Sequence, residues 1–497
     1  MKRHAAQIQT INHIPGNKRM KIIRFAMAAS LPFWLAACAT QMPSSTVVAP
    51  LPSQWNAPLP ASVAAVPHNG AVSDLSQWWR TQGDPLLAEL IESAQTVSPT
   101  IASARSRIEQ SRATRVAAGA ALLPVLNGTG SVSRTSTQPP LPMGTTVQTA
   151  LQPSWEIDVF GANRNARDAA QARFEGAQAG WHEARVAVAA EVANQYYSLR
   201  SCEKLMAIVN ADAKSRAETA RLTQLSAEAG FQAPATAALA RASAAEGNSR
   251  AIQQRAQCDL DIKALVALSA MPEPELRQKV SATAGDLPQT MAMSVSALPA
   301  HALTQRPDVF NAAREVAAAS AEVGTAQAQR YPQLTLSGSV GLASFRTGGV
   351  STDLNTWSIG PLALTVPLFD GGRRAANVEA AQARYEEAAA NYRAAVRQAV
   401  REVEEALVTL DSTAARSQDA ATAVEGYRTS FASTESRYVN GFASLVELEE
   451  ARRTRLAAET ALANLQRERV AAWIALYRAA GGGWTGGDTI AASARAN

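Results

Sequence analysis

Few side chains in this chain could carry out catalysis. After Cys38 the only histidines are His68, His182 and His301, and no HExxH, CxxC or GxSxG pattern occurs. The glycines at 481–483 lack the following Lys-Ser/Thr pair that a phosphate-binding loop needs. The sequence therefore argues against an enzyme, and we expect no catalytic residue, no bound metal and no cofactor of the usual kinds.

The charge of the chain gives no sign of a nucleic-acid partner. The formal net charge is +5, but basic residues alternate with acidic ones and no Lys/Arg run occurs in the body of the protein. An electrostatic footprint for nucleic acid needs basic residues clustered on one surface. We expect no nucleic-acid binding.

Cys38 ends an apolar stretch that begins at Phe25, and the basic residues Lys18, Arg19, Lys21 and Arg24 come shortly before the stretch. This plan predicts a secretory signal over residues 1–37, and because Met20 to Ala37 alone makes an ordinary signal, Met20 could be the true start. Leu35-Ala36-Ala37-Cys38 resembles a bacterial lipobox, which predicts a covalent lipid (diacylglyceryl and N-acyl) on Cys38. The alternative is a plain signal with an incidental cysteine. Residues 38–70, rich in Pro, Ser, Ala and Val, indicate a flexible or extended tether.

The chain repeats itself at an offset of 208 to 211 residues. Gln171-Ala172-Arg173-Phe174-Glu175 returns as Gln382-Ala383-Arg384-Tyr385-Glu386, and Gly230-Phe231 returns as Gly441-Phe442. A unit of this length is a whole duplicated lobe rather than a short solenoid repeat. We predict an internal duplication, with repeat 1 over residues 98–270 and repeat 2 over residues 306–477.

Each repeat contains a long tract without proline, from Asn163 to about Glu228 and from Arg373 to about Val439. A helix of either length would extend ~100 Å at a rise of ~1.5 Å per residue. Apolar residues recur at spacings of three and four, which is typical of a packing seam. Those in the second tract are Val396, Val400, Val403, Leu407 and Leu410. The helices must pack along their length, as in a coiled coil or a barrel of helices.

Both long helices end at a glycine, Gly230 or Gly441, and Ser444 is suited to cap the helix that follows the second one. We therefore predict two helical hairpins with tips at these glycines. Cys202 and Cys258 each lie 28 residues from Gly230, at the same level of the first hairpin. They could form a disulfide if the two helices pack closely there, or remain two buried thiols.

Strand patterns lie between the helical tracts, with apolar and polar residues alternating. We predict one β-hairpin over about 125–159 and a second over about 333–369, with turns at 139–144 and 347–355. Four strands cannot close a barrel, so several chains must pool their strands in a membrane or the chain's own helices must cover the sheet. The outward apolar face favours pooling, with Trp155 and Trp357 at the membrane interface.

Five motifs, in this order along the chain, resemble the outer-membrane efflux proteins of the TolC-like family, in the lipoprotein branch of NodT-type outer-membrane factors. They are Arg306-Pro307-Asp308-Val309, Tyr331-Pro332, Pro367-Leu368-Phe369-Asp370-Gly371-Gly372-Arg373, Arg437-Tyr438-Val439-Asn440-Gly441 with Ser444-Leu445, and Ala480-Gly481-Gly482-Gly483-Trp484. The resemblance implies a mixed α+β membrane protein. Three chains would form a twelve-stranded outer-membrane β-barrel, four strands per chain, that continues into a long periplasmic α-helical barrel. Residues 71–97, 271–305 and 478–497 are candidates for its equatorial belt.

The resemblance also implies the function and the partners. A homotrimer in outer-membrane lipid would conduct small molecules passively from the periplasm to the outside. A periplasmic adaptor protein and an inner-membrane efflux transporter, proton-driven in most such systems, would open it and supply the energy. The alternatives are an exit duct for a type I polypeptide secretion system and a structural coiled-coil lipoprotein, although the second leaves the strands unexplained.

Two groups of residues take functional roles by this resemblance. The hairpin tips would dock the adaptor, through Gly230, Phe231, Asn440, Gly441 and Phe442, although these residues also satisfy ordinary turn geometry. Alignment on the Tyr-x-x-Gly motif places the narrowest ring of a periplasmic gate at Glu450. Val446 lies one turn nearer the tip, and Glu447 and Glu449 flank the ring. Three carboxylates would favour cations, whereas the alternative is a solvated helix face. Arg452 and Arg453 could latch neighbouring helices by ion pairs.

Overall fold

A computed structural model of the chain describes residues 41–52, 55–58, 79–80, 83–136, 143–282, 303 and 306–484. The predicted signal, Cys38 with its predicted lipid and residues 485–497 lie outside the described residues, as do parts of the predicted tether and of the other predicted equatorial segments.

An order of one helix, two strands and two helices occurs twice. The first half contains α1 (Pro85–Val97), α2 (Pro99–Ala120), β1 (Val125–Thr135), β2 (Gly144–Ile157), α3 (Ala162–Glu228), α4 (Pro234–Ser269) and α5 (Glu273–Ala282). The second half contains α6 (Pro307–Ala328), β3 (Gln333–Thr347), β4 (Val350–Thr365), α7 (Arg373–Val439), α8 (Leu445–Ala479) and a 3-10 turn (Gly481–Gly483). The helices α2, α3 and α4 have 22, 67 and 36 residues, and α6, α7 and α8 have 22, 67 and 35. This near-identity of lengths is what an internal duplication predicts.

The described chain divides into two compact units. The first contains the described residues up to Pro43, together with Ala118–Asp168 and Ser320–Gln382, and includes all four strands. The second contains Ser44–Ala117, Ala169–Ala319 and the described part of the chain from Ala383 onward. None of the described helices has the length and the apolar composition needed to cross a membrane.

The four strands form one antiparallel sheet in the order β1-β2-β3-β4, so β1 and β4 are its edges. The prediction of a turn over 347–355 is wrong. The turn is only Gly348 and Gly349, both with positive φ, and the chain pairs again from Val350 onward. Two consecutive residues with positive φ make the tight turn that glycine permits and that matches the twist of a hairpin. At the first hairpin Gly144 already pairs with Thr135, and residues 137–142 lie outside the described part.

One face of the sheet is apolar and the other is mainly polar. In the observed register the apolar face carries Leu126, Val132, Val147, Leu151, Trp155, Leu336, Val340, Leu342, Trp357, Ile359, Leu362 and Leu364. Most of these side chains are exposed, including Trp357 and Ile359 at 73% and 87%. The opposite face carries mostly hydroxyl and amide side chains, with Ser339 and Ser358 hydrogen-bonded at 2.8 Å between their hydroxyl oxygens. An exposed apolar face beside a polar one is the pattern of a strand between lipid and water.

The core of the second unit lies in the middle of the long helices. The predicted seam of α7 is confirmed there: Val396, Val403, Leu407 and Leu410 are buried, and Val400 is partly buried. Parts of two predicted equatorial segments join the same core through α1 and α5. Ser93 of α1 donates to the carbonyl of Ser269 at 2.7 Å, and Lys279 of α5 pairs with Glu89 of α1 at 2.5 Å.

The described part of the predicted tether is extended and attached to helices. Within the second unit, Tyr385 of α7 donates to the carbonyl of Ser44 at 2.9 Å. The Glu404 carboxylate accepts hydrogen bonds from the backbone N–H groups of Asn56 and Ala57, both at 2.8 Å. Within the first unit, Ser320 of α6 donates to the carbonyl of Pro43 at 2.6 Å, and Met42 fills the space left by Gly324, where a Cβ would collide with it.

Candidate functional site

The two predicted hairpin tips have the same backbone geometry. Gly230 and Gly441 have φ of 82° and 79°, the left-handed conformation that glycine adopts without strain. The N–H of Phe231 donates to the carbonyl of Ser226 at 2.8 Å, and the N–H of Phe442 donates to the carbonyl of Arg437 at 2.7 Å. These are the six-residue bonds of a Schellman motif, so both long helices end by the predicted mechanism.

The aromatic side chains at the tips face solvent in the single chain. Phe231 is 85% exposed and Phe442 is 76% exposed. Turn geometry requires the glycines but does not require large apolar groups on the surface beside them. Asn440, the other residue predicted to dock the adaptor, closes the end of α7, because its Nδ2 donates to the carbonyl of Ser436 at 2.8 Å. The structure thus places two exposed aromatic rings at the tips.

Ser444 is the N-cap of α8 and forms a capping box, which confirms the capping role predicted for it from the sequence. Its Oγ accepts from the backbone N–H of Glu447 at 3.2 Å, and the Glu447 carboxylate accepts from the backbone N–H of Ser444 at 2.7 Å. The hydrogen bonds from the Ser444 backbone and hydroxyl lower the pKa of Glu447. Arg437 of α7 also lies 3.6 Å from this carboxylate. Glu447, predicted to belong to the gate, is therefore engaged in closing the tip.

Glu450 and Val446 lie on the surface of α8, four residues apart and thus on one face of the helix. Val446 is 66% exposed, and the Glu450 carboxylate pairs only with Arg453 of its own helix, at 2.8 Å, among the described residues. Within one chain, this exposure fits both a solvated face and a ring contributed by several copies.

A largely buried group of charged and polar residues lies beside these positions of α8. We call it the arginine cluster and define it as Asp212 and Arg216 of α3, Ser243 of α4, and Glu449 and Arg452 of α8. Arg216 pairs with Asp212 at 2.8 Å, donates to Ser243 Oγ at 2.6 Å and pairs with Glu449. Arg452 also pairs with Glu449. The cluster thereby joins three helices through one carboxylate.

Arg452 is the most enclosed member of the arginine cluster, with no exposed surface. It donates to Ser215 Oγ and Thr219 Oγ1 of α3, both at 3.0 Å, and lies over the ring of Phe431 of α7. Burial lowers the pKa of its guanidinium, which Glu449 partly opposes. Since a buried charge is costly without its partners, these contacts hold α8 against α3. Nearby, the hydroxyls of Thr223 and Tyr438 share a hydrogen bond of 2.8 Å between α3 and α7.

Of the two arginines predicted to link neighbouring helices, only Arg452 does so within the described chain. Arg453 pairs with Glu450 within α8 and is largely exposed, so it joins no second helix among the described residues. Sequence reasoning missed the rest of the cluster. The one local signal was residue spacing: Asp212 and Arg216 are four residues apart, and Glu449 and Arg452 are three apart. This spacing predicts that each pair shares one face of its helix, but it does not predict that the two pairs meet.

Cys202 and Cys258 are joined by a disulfide in the structure, with their Cα atoms 5.5 Å apart. The bond links α3 to α4 at the level predicted from Gly230. Close packing of these helices is also seen at Gly247 of α4, where a Cβ would lie 3.3 Å from the Cα of Ala213 in α3.

No group of three or more His, Cys, Asp or Glu side chains is placed to hold a metal ion in the described part of the chain. The buried His182 lies among aromatic residues, with ring centroids 4.8 Å from Trp181 and 6.2 Å from Trp484.

Comparison with known proteins identifies the family of this arrangement. The family model described as outer membrane efflux protein matches residues 90–270 and 298–482. Nodulation protein T of Rhizobium leguminosarum bv. viciae is 30% identical over 447 residues, 88% of this chain and 89% of that protein. The pyoverdine export outer membrane protein OpmQ of Pseudomonas aeruginosa is 30% identical over 90% of this chain and 96% of its own length.

Solved structures agree with this identification. The outer-membrane channel OprN superposes with a TM-score of 0.78 at 26% identity, over 90% of this chain and all of that chain. The outer membrane protein VceC of Vibrio cholerae superposes with a TM-score of 0.72 at 25% identity, over 82% of this chain and 99% of its own.

Proposed function

The chain belongs to the outer membrane efflux protein family, and from that membership we propose that it is the outer-membrane exit duct of a tripartite efflux pump. It lies in the bacterial outer membrane with its helical part in the periplasm. It conducts small molecules passively to the outside and is not an enzyme. The observation that carries the proposal is the family match over both repeats, to which the sheet with one exposed apolar face adds independent support.

The duct is a homotrimer in this proposal. Strands β1 and β4 have no partner on their outer edges within the described chain, and an open edge is unfavourable in lipid because its N–H and C=O groups have no hydrogen-bond partner there. Pairing β1 of one chain with β4 of the next satisfies both edges. Three chains then give twelve strands and a closed barrel, with the apolar face outward and the hydroxyl-rich face lining the pore.

The periplasmic end carries the gate and the docking surface. Three copies of Glu450, with Val446 beside them, form the constriction, and the cation preference of the duct follows from the three carboxylates. Phe231 and Phe442, exposed at the tips, dock the periplasmic adaptor, and the inner-membrane transporter supplies the energy. A lipid on Cys38 adds a second attachment to the outer membrane.

Efflux is favoured over polypeptide secretion by the relatives. SrpC and TtgI of Pseudomonas putida are named as outer membrane proteins of a solvent efflux pump and a toluene efflux pump, each 26% identical to this chain. OpmQ is named for pyoverdine export. Because related ducts serve such different cargo, we infer that the partner transporter selects the substrate.

The proposal is tested by purifying the full-length protein in detergent, measuring its particle mass and recording single channels in planar bilayers. We expect the mass of a trimer and discrete conductance steps. A monomer or dimer that does not conduct would overturn the pooled barrel and return the chain to a structural lipoprotein. To separate small-molecule efflux from polypeptide secretion, a deletion strain is tested for dye accumulation and for the secreted polypeptides in its medium; accumulation with unchanged secretion is expected.

A further inference from the structure

Two arginines lie on the apolar face of the sheet at its hairpin end. The register pairs Arg134 with Thr145, Thr145 with Arg346, and Arg346 with Ser351, so these four residues form one row across the strands. Residues directly opposite one another share a face. Arg134 and Arg346 therefore project from the same face and are separated by two strand spacings, about 10 Å.

The rows below show that this is the lipid-facing side in the proposed barrel. The next row contains Val132 and Val147, and the rows after it contain Leu342, Val340 and Trp357. All five are exposed. Polar residues also occur in the first two of these rows, with Ser344 and Asp353 in the first and Thr149 and Asn355 in the second. Two cations thus stand at the outer end of a mainly apolar surface, which in the proposed barrel is where water gives way to lipid.

Neither guanidinium is neutralised within the described part of the chain. Both arginines are exposed, and no carboxylate there lies within ion-pair distance of either one. Arg134 Nε donates a hydrogen bond to the sulfur of Met143 at 3.1 Å. The acidic residue nearest in register is Asp353, opposite Ser344 in the adjacent row of the same face. Two arginines and one aspartate leave an excess of positive charge at this end of the sheet.

We propose that Arg134 and Arg346 bind the phosphate groups of lipopolysaccharide in the outer leaflet. The inference rests on the proposed function, which places the hairpin end of the sheet at the outer surface, because the strands join their long helices at the other end. A guanidinium at the edge of an apolar band binds phosphate strongly, because two N–H groups of the planar guanidinium can donate parallel hydrogen bonds to two phosphate oxygens. Lipopolysaccharide carries two phosphates on one headgroup, so it engages both arginines. The nearby Asp353 carboxylate makes both cations necessary for net attraction.

The test is native mass spectrometry of the purified full-length trimer in detergent, titrated with deep-rough lipopolysaccharide. The variants are Arg134→Gln with Arg346→Gln, and the control is Arg330→Gln, an exposed arginine next to the opposite end of the sheet. We expect the double variant to bind at least tenfold more weakly than the wild type and the control to bind like the wild type. Lysine at both positions, which keeps the charge without the fork, should give an intermediate affinity.

A second experiment compares different lipids on the wild-type protein, so its result does not depend on whether the variants fold. Lipopolysaccharide without its headgroup phosphates should fail to bind, and phosphatidylglycerol should compete only at much higher concentration. Equal binding by the double variant, equal binding of the dephosphorylated lipid, or equal competition by phosphatidylglycerol would each overturn the proposal. The same preparations are checked for trimer mass and conductance, so a conducting trimer without this selectivity rejects the lipid site alone, whereas a monomer that does not conduct rejects the duct.

Discussion

Arg452 and Thr219 lie 233 positions apart in the chain, yet Nη2 of the arginine donates a 3.0 Å hydrogen bond to Oγ1 of the threonine. This contact belongs to the arginine cluster, which ties α8 to α3 a few turns from the hairpin tips. The helix that carries the proposed gate residue Glu450 is thereby held by buried charges on its other face.

We expect Arg452→Met to destabilise this packing by about 3–5 kcal/mol, because it leaves Glu449 buried with one partner fewer. The control is Arg416→Met, which removes an exposed pair between α7 and α8, with Glu468 at 2.8 Å, and should cost at most about 1 kcal/mol. Thermal melting of the helical circular dichroism signal in detergent compares the two. The single-channel conductance should also rise for Arg452→Met alone. Equal melting temperatures for both variants would show that the cluster contributes little.

Neutralising Glu450 should reduce the cation preference of the channel, because its exposed carboxylate would be repeated three times around the constriction. Reversal potentials in a potassium chloride gradient measure this for Glu450→Gln. The matched control is Glu425→Gln, which removes an exposed carboxylate from α7. The same loss of selectivity in the control would assign the preference to general surface charge rather than to Glu450.

Oxidised Cys202 and Cys258 should resist alkylation in the unfolded protein until a reductant is added, as mass spectrometry would show. Replacing both with serine should cost about 2–4 kcal/mol, since the bond restrains two cysteines that are 56 residues apart. The melting temperature should fall accordingly. Alkylation of both thiols without reductant would contradict the bond and favour two buried thiols.

Two helix-interior glycines should respond to substitution in opposite directions. Gly247→Val would push α4 away from the backbone of Ala213 in α3, at an expected cost of about 1–3 kcal/mol. At Gly426 in α7 an added Cβ would have no neighbour within 4 Å among the described residues, so Gly426→Ala should stabilise the helix by about 0.5–1 kcal/mol. Melting temperatures that shift in the same direction would contradict the close approach of α3 and α4.

The capping box at Ser444 should make the start of α8 sensitive to acid. Ser444→Ala is expected to cost about 1 kcal/mol at neutral pH. Because the folded-state pKa of Glu447 is lowered, its contribution is fully present above the unfolded value of about 4.3 and is lost as the pH falls through the folded pKa. The difference in melting temperature between wild type and variant should therefore shrink in acid. A difference that stays constant with pH would show that Glu447 takes no part in the cap.

The long helices could be predicted from sequence because their signals are local. The absence of proline and a terminal glycine placed α7 at Arg373–Val439, as observed, and α3 within one residue of its start. The second β-hairpin was placed correctly, but its turn was predicted too long because Ser351, Asp353 and Asn355 have the composition of a loop. In the sheet these polar residues lie toward the hairpin end, paired with β3 beyond the glycine turn. Their position in the sheet overrides their local preference.

The candidate site divides in the same way. The turns at Gly230 and Gly441 and the cap at Ser444 depend on neighbours within a few residues, so the sequence could predict them. The arginine cluster could not be predicted, because Arg216 and Glu449 are 233 residues apart and meet only where three helices pack. Spacing along one helix shows which side chains share a face and leaves open which other helix lies against it.

The attachment of Met42 at Gly324 has a consequence for any lipid on Cys38. Met42 is only the fourth residue after the cysteine, and a chain of that length reaches at most about 14 Å. A lipid joined there would enter the membrane close to the place where the helices meet the sheet. Such a short attachment would fix the depth of the proposed barrel in the bilayer, whereas a long flexible tether would leave that depth free to vary.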